Sequence, residues 1–376
     1  MPRREEPADP APGGRVRILR RELEDFCSAI FCALGIPPRE AEDSAKILVA
    51  ADARGIPSHG VAHLSRYTRG IEAGLIRGGI SPVVLRETAV SRVLDAGGAM
   101  GMSLSRAAMD WVIGAAEKHG VGLCSIRNSN HFGIAGYYTE MAARAGMIGM
   151  AFSNTAALGV PTNARNAFFG TNPIAFAAPG EGGDMFSLDM ATTTVTRGRI
   201  EIAEREGRAI PPGWAVGVNG KATTDPARLL EDMLYLRGGG LLPLGGEGTA
   251  TGGYKGYGLA VMVDILCALT SGGTFGADVR DSETTSARVC HFFLALKLDM
   301  FRDPAEFKRD LSKMLRDLSS LSPAEGAERV YYAGLKSREN EEECGRLGVP
   351  VAGGVWAGLG EIARRLGVAV PPVVQR

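Results

Sequence analysis

Two histidines in this 376-residue chain stand where acid–base chemistry could be presented. His59 lies in Pro57-Ser-His-Gly60 and His131 in Asn128-Ser-Asn-His-Phe-Gly133. Small polar residues and glycine flank both, in turns that follow apolar segments. An imidazole there can give or take a proton near neutral pH. Of the other three, His119 closes a helix in Lys118-His-Gly120, where it suits the negative helix end. His291, between Cys290 and Phe292, reads as a satisfied core residue. His63 follows His59 by four residues, which would put both imidazoles on one helix face. The residue after His59 is glycine, however, so an H-E-x-x-H zinc site lacks its glutamate, and no third ligand is evident; no metal is expected. Ser58 beside His59 invites a hydrolase reading, but neighbours in sequence rarely form a nucleophile–base pair and no G-x-S-x-G elbow exists.

Other polar positions suit a ligand with anionic groups or ordinary turn capping. They are Lys255 in Gly252-Gly-Tyr-Lys-Gly-Tyr-Gly258, the turn Gly170-Thr-Asn-Pro173, and Asp189-Met-Ala-Thr-Thr193. Neither a G-x-G-x-x-G fingerprint nor a P-loop occurs. The glycine-rich Gly238 to Gly246 stretch carries Leu-Leu-Pro-Leu at its centre, which is no phosphate cradle. A dinucleotide, if bound, must therefore sit on something other than a standard Rossmann turn.

The elements that would hold these residues follow from periodicity. From about Val16 to Leu75 the pattern is helical, with Leu19, Leu23, Phe26, Ile30 and Leu34 at three- and four-residue spacing and Gly35, Pro37 and Pro38 as a stop. A second helix is expected from about Arg39 to Arg54, and a third from Ser58 to near Gly74. From Val83 to Leu298 β-like runs alternate with helices. Strands are expected at Val90–Leu94, Gly120–Ile126, Met147–Ser153, Ile174–Ala178, Met185–Met190 and Val289–Leu298. Helices are expected at Met102–His119 and Tyr137–Ala145, with a buried one at Leu259–Leu269. Charged amphipathic helices return from Pro304 to Gln375, broken around Val330 to Tyr332. The class is α/β, without internal repeats.

Composition narrows the partners. Lys and Arg total 42, as do Asp and Glu, so no net field favours nucleic acid or an anionic membrane. No run approaches the roughly 20 apolar residues of a spanning helix. Residues 1–14 read as a short disordered tail without a secretory core, and the six scattered cysteines read as reduced thiols, so a cytoplasmic location is expected.

Seven segments in order carry a resemblance: Asp52-Ala-Arg-Gly-Ile-Pro-Ser-His-Gly60, Arg127-Asn-Ser-Asn-His-Phe-Gly-Ile-Ala-Gly-Tyr-Tyr138, Phe169-Gly-Thr-Asn-Pro-Ile-Ala175, Leu188-Asp-Met-Ala-Thr192, Thr223-Thr-Asp-Pro226, Leu241-Leu-Pro-Leu-Gly-Gly246 and Tyr254-Lys-Gly-Tyr-Gly-Leu259. From about Val16 to Gly367 the chain resembles the type 2 malate/L-lactate dehydrogenase family, which includes sulfolactate and ureidoglycolate dehydrogenases and cyclic-imine reductases. The resemblance implies a non-Rossmann cofactor domain with a largely antiparallel mixed sheet (residues 83–299). It also implies a helical domain formed by residues 15–82 and 300–376, and a homodimer. It implies NAD or NADP as cofactor and a small 2-hydroxy or 2-oxo acid, or a cyclic imine carboxylate, as substrate; a catalytically silent ligand-binding relative is the remaining alternative. By position, His131 is the implied proton donor and acceptor, with Ser58 and His59 assisting. His63, Arg66 and Tyr67 are implied on the substrate, His63 standing where many members have Arg. Phe132, Gly133, Ile134, Ala135, Thr155, Thr171, Asp189, Met190, Ala191 and Lys255 are implied on the cofactor.

Overall fold

The computed structural model describes residues 14–280 and 286–374. The tail expected at residues 1–14 lies, save Gly14, outside the described residues. The described residues open as a strand, β1 (Arg15–Ile18), where a helical pattern was expected from about Val16. Val16 and Ile18 alternate with Arg15 and Arg17, a period of two that four residues leave indistinguishable from the start of a helical stripe. Helix α1 (Arg20–Ala33) then buries Leu23, Phe26, Cys27, Ile30 and Phe31 on one face. Helix α2 (Pro38–Ala53) begins with proline at its first position, where no N–H is needed. The third expected helix is shorter than its pattern: Pro57–His59 and Val61–His63 are two 3₁₀ turns, and α3 proper spans Leu64–Glu72.

The middle of the chain supplies β2 (Val83–Glu87), β3 (Ser91–Asp95), α4 (Gly101–His119), β4 (Val121–Ser129), α5 (Gly136–Arg144), β5 (Met147–Ser153), β6 (Ile174–Pro179) and β7 (Met185–Met190). A lobe with its own small core follows, built from α6 (Arg197–Arg205), β8 (Ala215–Val216), α7 (Pro226–Leu234) and β9 (Gly240–Leu241). The expected buried helix starts early, as α8 (Gly253–Asp264), and continues as a π-helical turn over Ile265–Leu269. Ile265 and Leu269 face outward, 46% and 55% exposed, so that stretch is only half-buried. Then come β10 (Val289–Lys297), α9 (Pro304–Ser319), α10 (Leu335–Leu347), β11 (Val349–Ala352) and α11 (Gly353–Leu366).

Seven strands form one mixed sheet in the order β2-β3-β4-β10-β5-β6-β7. Only β3 and β4, joined through α4, run parallel; the other five pairings are antiparallel. β10 explains why its sequence is apolar without alternation. Phe293 and Ala295 belong to the main core, which also takes in α1, α2, α4 and α11. Cys290 and Phe292 belong to a second core beneath α8 and its π turn. A strand covered on both faces has no polar side to show. α9 lies against β6 through Leu311, Leu315 and Ala178. β1 pairs antiparallel with β11, from Arg15 opposite Ala352 to Ile18 opposite Val349, tying the two ends of the described chain together. No helix among the described residues is long and apolar enough to cross a membrane.

Candidate active site

The loop after α2 owes its shape to an acid inside the protein. Asp52 is 5% exposed, and its Oδ2 accepts the Val61 N–H at 2.7 Å, between the two 3₁₀ turns. Gly60 is obligatory there, because a Cβ at that position would lie 2.1–2.3 Å from all three carboxyl atoms of Asp52. Burial pushes the Asp52 carboxyl up to about 7, against the pull of the Val61 N–H. Two residues on, buried Arg54 donates to Glu140 of α5 at 2.6 Å, and Ser187 of β7 donates to the other Glu140 oxygen at 2.8 Å. The loop is thereby pinned to α5, whose N-terminus carries the second histidine segment. Asp52, Arg54 and Glu140 are positioning groups that motif reading passed over. The signal available was charge within an otherwise apolar helical stripe.

His131 follows β4 and is held from below. Asn130 donates through Nδ2 to Gly98 O at 2.9 Å and Ala99 O at 3.1 Å. His291, fully buried, is bonded to Ser153 Oγ and Ser129 Oγ at 2.9 Å each, and Phe132 stacks on its ring at 4.4 Å and 5°. Burial drops the His291 pKa to about 3, so it serves as a neutral pillar, as its apolar setting implied. Above it, Tyr67 Oη lies 2.6 Å from His131 Nδ1, and the Gly133 N–H points at the same nitrogen from 3.3 Å. Gly133 has φ +79°, and a Cβ there would meet Ile47 Cγ2 at 2.6 Å. Since an amide can only donate, Nδ1 is an acceptor in the neutral ring, and the proton sits on Nε2.

Around that ring the structure gathers the other expected residues. The His59 and His63 rings lie 5.7 and 5.3 Å from His131, and 5.8 Å from each other. Ser58 Oγ is 3.0 Å from His59 Nδ1, and Arg66 stands exposed on α3. Burial, reinforced by its positive neighbours, lowers His59 to about 4 and holds His63 and His131 below the ordinary 6.5, His131 well below. Burial also keeps the Tyr67 phenol protonated. In the free chain these are neutral imidazoles. No group of three or more His, Cys, Asp or Glu among the described residues is arranged to hold a metal ion.

The remaining residues form a strip leading away from the histidines. Phe132, Ile134 and Ala135 are buried with little side-chain surface left, so with Gly133 they could meet a ligand chiefly through backbone. Asp189, on β7, accepts the Gly136 N–H at 2.7 Å and caps α5. Met190 and Ala191 are half-buried beside it. Thr192 donates its N–H to Thr171 O at 2.8 Å, and Thr155 Oγ1 accepts the Thr171 N–H at 2.9 Å. Asn172 spans from Thr155 N at 3.2 Å to Ala260 O of α8 at 3.0 Å, and exposed Lys255 stands on the first turn of α8. Half-buried threonine hydroxyls, backbone amides and one exposed ammonium suit a group that carries phosphates and ribose hydroxyls.

Comparison with known proteins gives the family. The family model described as malate/L-lactate dehydrogenase matches residues 18–360. The malate dehydrogenase of Pyrococcus abyssi is 42% identical over 94% of this chain and 96% of its own length. The L-sulfolactate dehydrogenase of Methanocaldococcus jannaschii is 34% identical over 91% of this chain and 94% of its own. The solved malate dehydrogenase of Pyrococcus horikoshii superposes with a TM-score of 0.86 at 37% identity, covering 94% of this chain and 97% of that one. The chain belongs to the malate/L-lactate dehydrogenase family and is an oxidoreductase.

Proposed function

We propose that the chain transfers a hydride between NAD or NADP and a small 2-hydroxy or 2-oxo acid of the malate, lactate or sulfolactate kind, with His131 moving the proton. The observation that carries this is the seat of His131, whose Nδ1 is occupied by Tyr67 and Gly133, leaving Nε2 as the nitrogen for a substrate, with the His59 and His63 rings 5.7 and 5.3 Å away. A nicotinamide, when bound, supplies or accepts the hydride. Thr155, Thr171, Lys255 and the backbone of residues 132–135, with Asp189, Met190 and Ala191, are the groups that would hold it.

In the reducing direction the substrate oxygen gains negative charge and takes a proton from the charged His131 ring at Nε2. Tyr67 Oη, able to donate or accept, then receives the Nδ1–H of that charged ring. In the oxidising direction the neutral ring must first carry its proton on Nδ1 rather than Nε2, with Tyr67 Oη turning to accept it, so that Nε2 can take the alcohol proton. Ser58 and His59 complete the wall on one side, with His63 offering a ring N–H and Arg66 a positive charge to the acid's carboxylate.

Relatives named for NAD(+) and for NADP(+) both occur, so either cofactor fits the family. A second reading, reduction of a cyclic imine carboxylate, is favoured by the likeness to a solved delta1-piperideine-2-carboxylate reductase of Pseudomonas syringae, with a TM-score of 0.81 at 29% identity. Residues 83–299 are proposed as the cofactor-binding body, residues 15–82 with 300–376 as the helical body, and the working unit as a homodimer. Light scattering on the eluting protein reads the last point directly. The deciding assay follows NADH and NADPH oxidation by absorbance with oxaloacetate, pyruvate, sulfopyruvate and piperideine-2-carboxylate. Turnover of one 2-oxo acid is expected; turnover of the imine alone would replace the leading reading with the second.

A further inference from the structure

The groups proposed to hold the cofactor sit on separate segments, so something must keep them in register. Thr155 follows β5, Thr171 precedes β6, Ala191 follows β7 and Lys255 stands in the first turn of α8. Hydrogen bonds chain these segments together. The Thr171 N–H donates to Thr155 Oγ1 at 2.9 Å, and the Thr192 N–H to Thr171 O at 2.8 Å. The Leu244 N–H then donates to Thr192 O at 2.8 Å, and the Gly256 N–H to Leu244 O at 3.2 Å. Asn172 closes the chain into a ring. Its Oδ1 accepts the Thr155 N–H at 3.2 Å, and its Nδ2 donates to Ala260 O at 3.0 Å, about one turn along α8 from Gly256. We propose that Asn172 is a positioning residue that sets Lys255 against Thr155 and Thr171, and so fixes how tightly the nicotinamide cofactor is gripped. This rests on the reading of that strip as the cofactor's seat.

Asn172 is fully buried and held at φ +33°, a left-handed value, immediately before Pro173. Asparagine enters that region more readily than most residues, but a following proline narrows the choice further. Such backbone persists where its surroundings over-determine it. Here they do so by close approach. A Cβ on Gly170 would come 2.0 Å from Thr155 Oγ1, and one on Gly256 would come 2.3 and 2.4 Å from Leu244 O and N. The turn and the helix are therefore near enough for one short amide to reach both. The task needs an acceptor at one end and a donor at the other; a carboxylate lacks the donor and leucine lacks both.

What the ring presents is an uncommitted cation. Among the described residues no carboxylate pairs with Lys255, whose Nζ lies 5.9 Å over the Tyr254 ring. Its charge is available to an anionic group, and its reach is set by where α8 lies. A small slide of α8 would lengthen any bond from Lys255 while leaving Thr155 and Thr171 in place, and hydrogen bonds weaken steeply with such misfit.

Titration of NADH and NADPH, followed by fluorescence of the bound nicotinamide, tests this on the full chain without turnover. Asn172→Gly accepts the backbone angle and removes both bonds, and should weaken the better-held cofactor at least ~10-fold. Lys255→Met should weaken it to a similar degree. The double variant decides: if Asn172 acts through Lys255, Asn172→Gly costs less than ~3-fold more once Lys255 is gone. Losses that multiply in full, or an Asn172→Gly protein that binds as the wild type does, would overturn the proposal. Gly256→Ala displaces the same helix from the Leu244 side with Asn172 in place, and should show the same coupling to Lys255→Met; it carries the test if Asn172→Gly does not fold. Absence of binding to the wild type would overturn the proposal together with the cofactor reading of the strip, whereas binding indifferent to Asn172 overturns the proposal alone.

Discussion

At the scale of single residues, the site depends on how one imidazole is held. His131→Ala should keep cofactor binding, read by fluorescence of the bound nicotinamide, and lose at least ~100-fold in turnover. Unchanged turnover would remove His131 from its role. Tyr67→Phe keeps the buried ring but removes the hydroxyl at Nδ1, and a loss of about 10-fold in kcat with KM little changed is expected for one hydrogen bond to a charged group. The pH profile follows from the direction of the His131 shift. Its pKa lies well below 6.5, so the neutral base for alcohol oxidation is present at neutral pH. Oxidative kcat/KM should stay flat through neutrality and fall only on acidification below 6.5, whereas the reductive rate should decline as pH rises. An oxidative limb inflecting above 6.5 would contradict that ordering. His59 and His131 stood out in the sequence as candidates because glycine and small polar neighbours mark turns. Asp52 did not, since a carboxylate tucked under Gly60 reads as one more polar position on a helix.

At the scale of elements, the loop carrying Ser58, His59 and His63 meets α5 through buried charge. Arg54 and Glu140 are 4% and 11% exposed in their side chains, and each has a further partner: Glu140 pairs with Arg144 at 2.8 Å and Arg54 with Glu341 at 3.5 Å. Arg54→Met should cost about 1–3 kcal/mol in unfolding free energy, because Glu140 keeps Arg144 and Ser187, with part of it recovered in Arg54→Met/Glu140→Met. Equal losses in the single and double variants, measured by denaturant titration, would show that the pair matters for shape rather than charge. The longer elements were readable because α1, α4 and β10 are long enough for period or unbroken apolarity to declare itself. β1 and β11 were not, because four residues carry too little pattern, and their pairing joins opposite ends of the chain. The third helix broke into 3₁₀ turns for a tertiary reason, the Val61 N–H leaving the helical ladder for Asp52.

At the scale of the whole molecule, β10 locks the sheet, since it lies between β4 and β5 and faces two cores. Phe293 is fully buried beside Tyr138, with ring centroids 5.4 Å apart. Phe293→Ala should therefore cost about 3–5 kcal/mol while unfolding stays a single transition, which calorimetry can follow. Two separated transitions would show that the sheet and the helical layer melt independently. The α/β class was plain from alternating patterns; the strand order was not, because the central strand arrives late in sequence. The pairing of β1 with β11 has a consequence in time. During synthesis the first strand leaves the ribosome hundreds of residues before its partner, Arg15 waiting for Ala352. Val16 and Ile18 thus wait as apolar residues without their partner strand, and the layer that seats the histidine loop closes only once Val349 to Ala352 have been made. A nascent protein stalled short of Val349 should be a client for chaperones and, however complete its sheet, an inactive one.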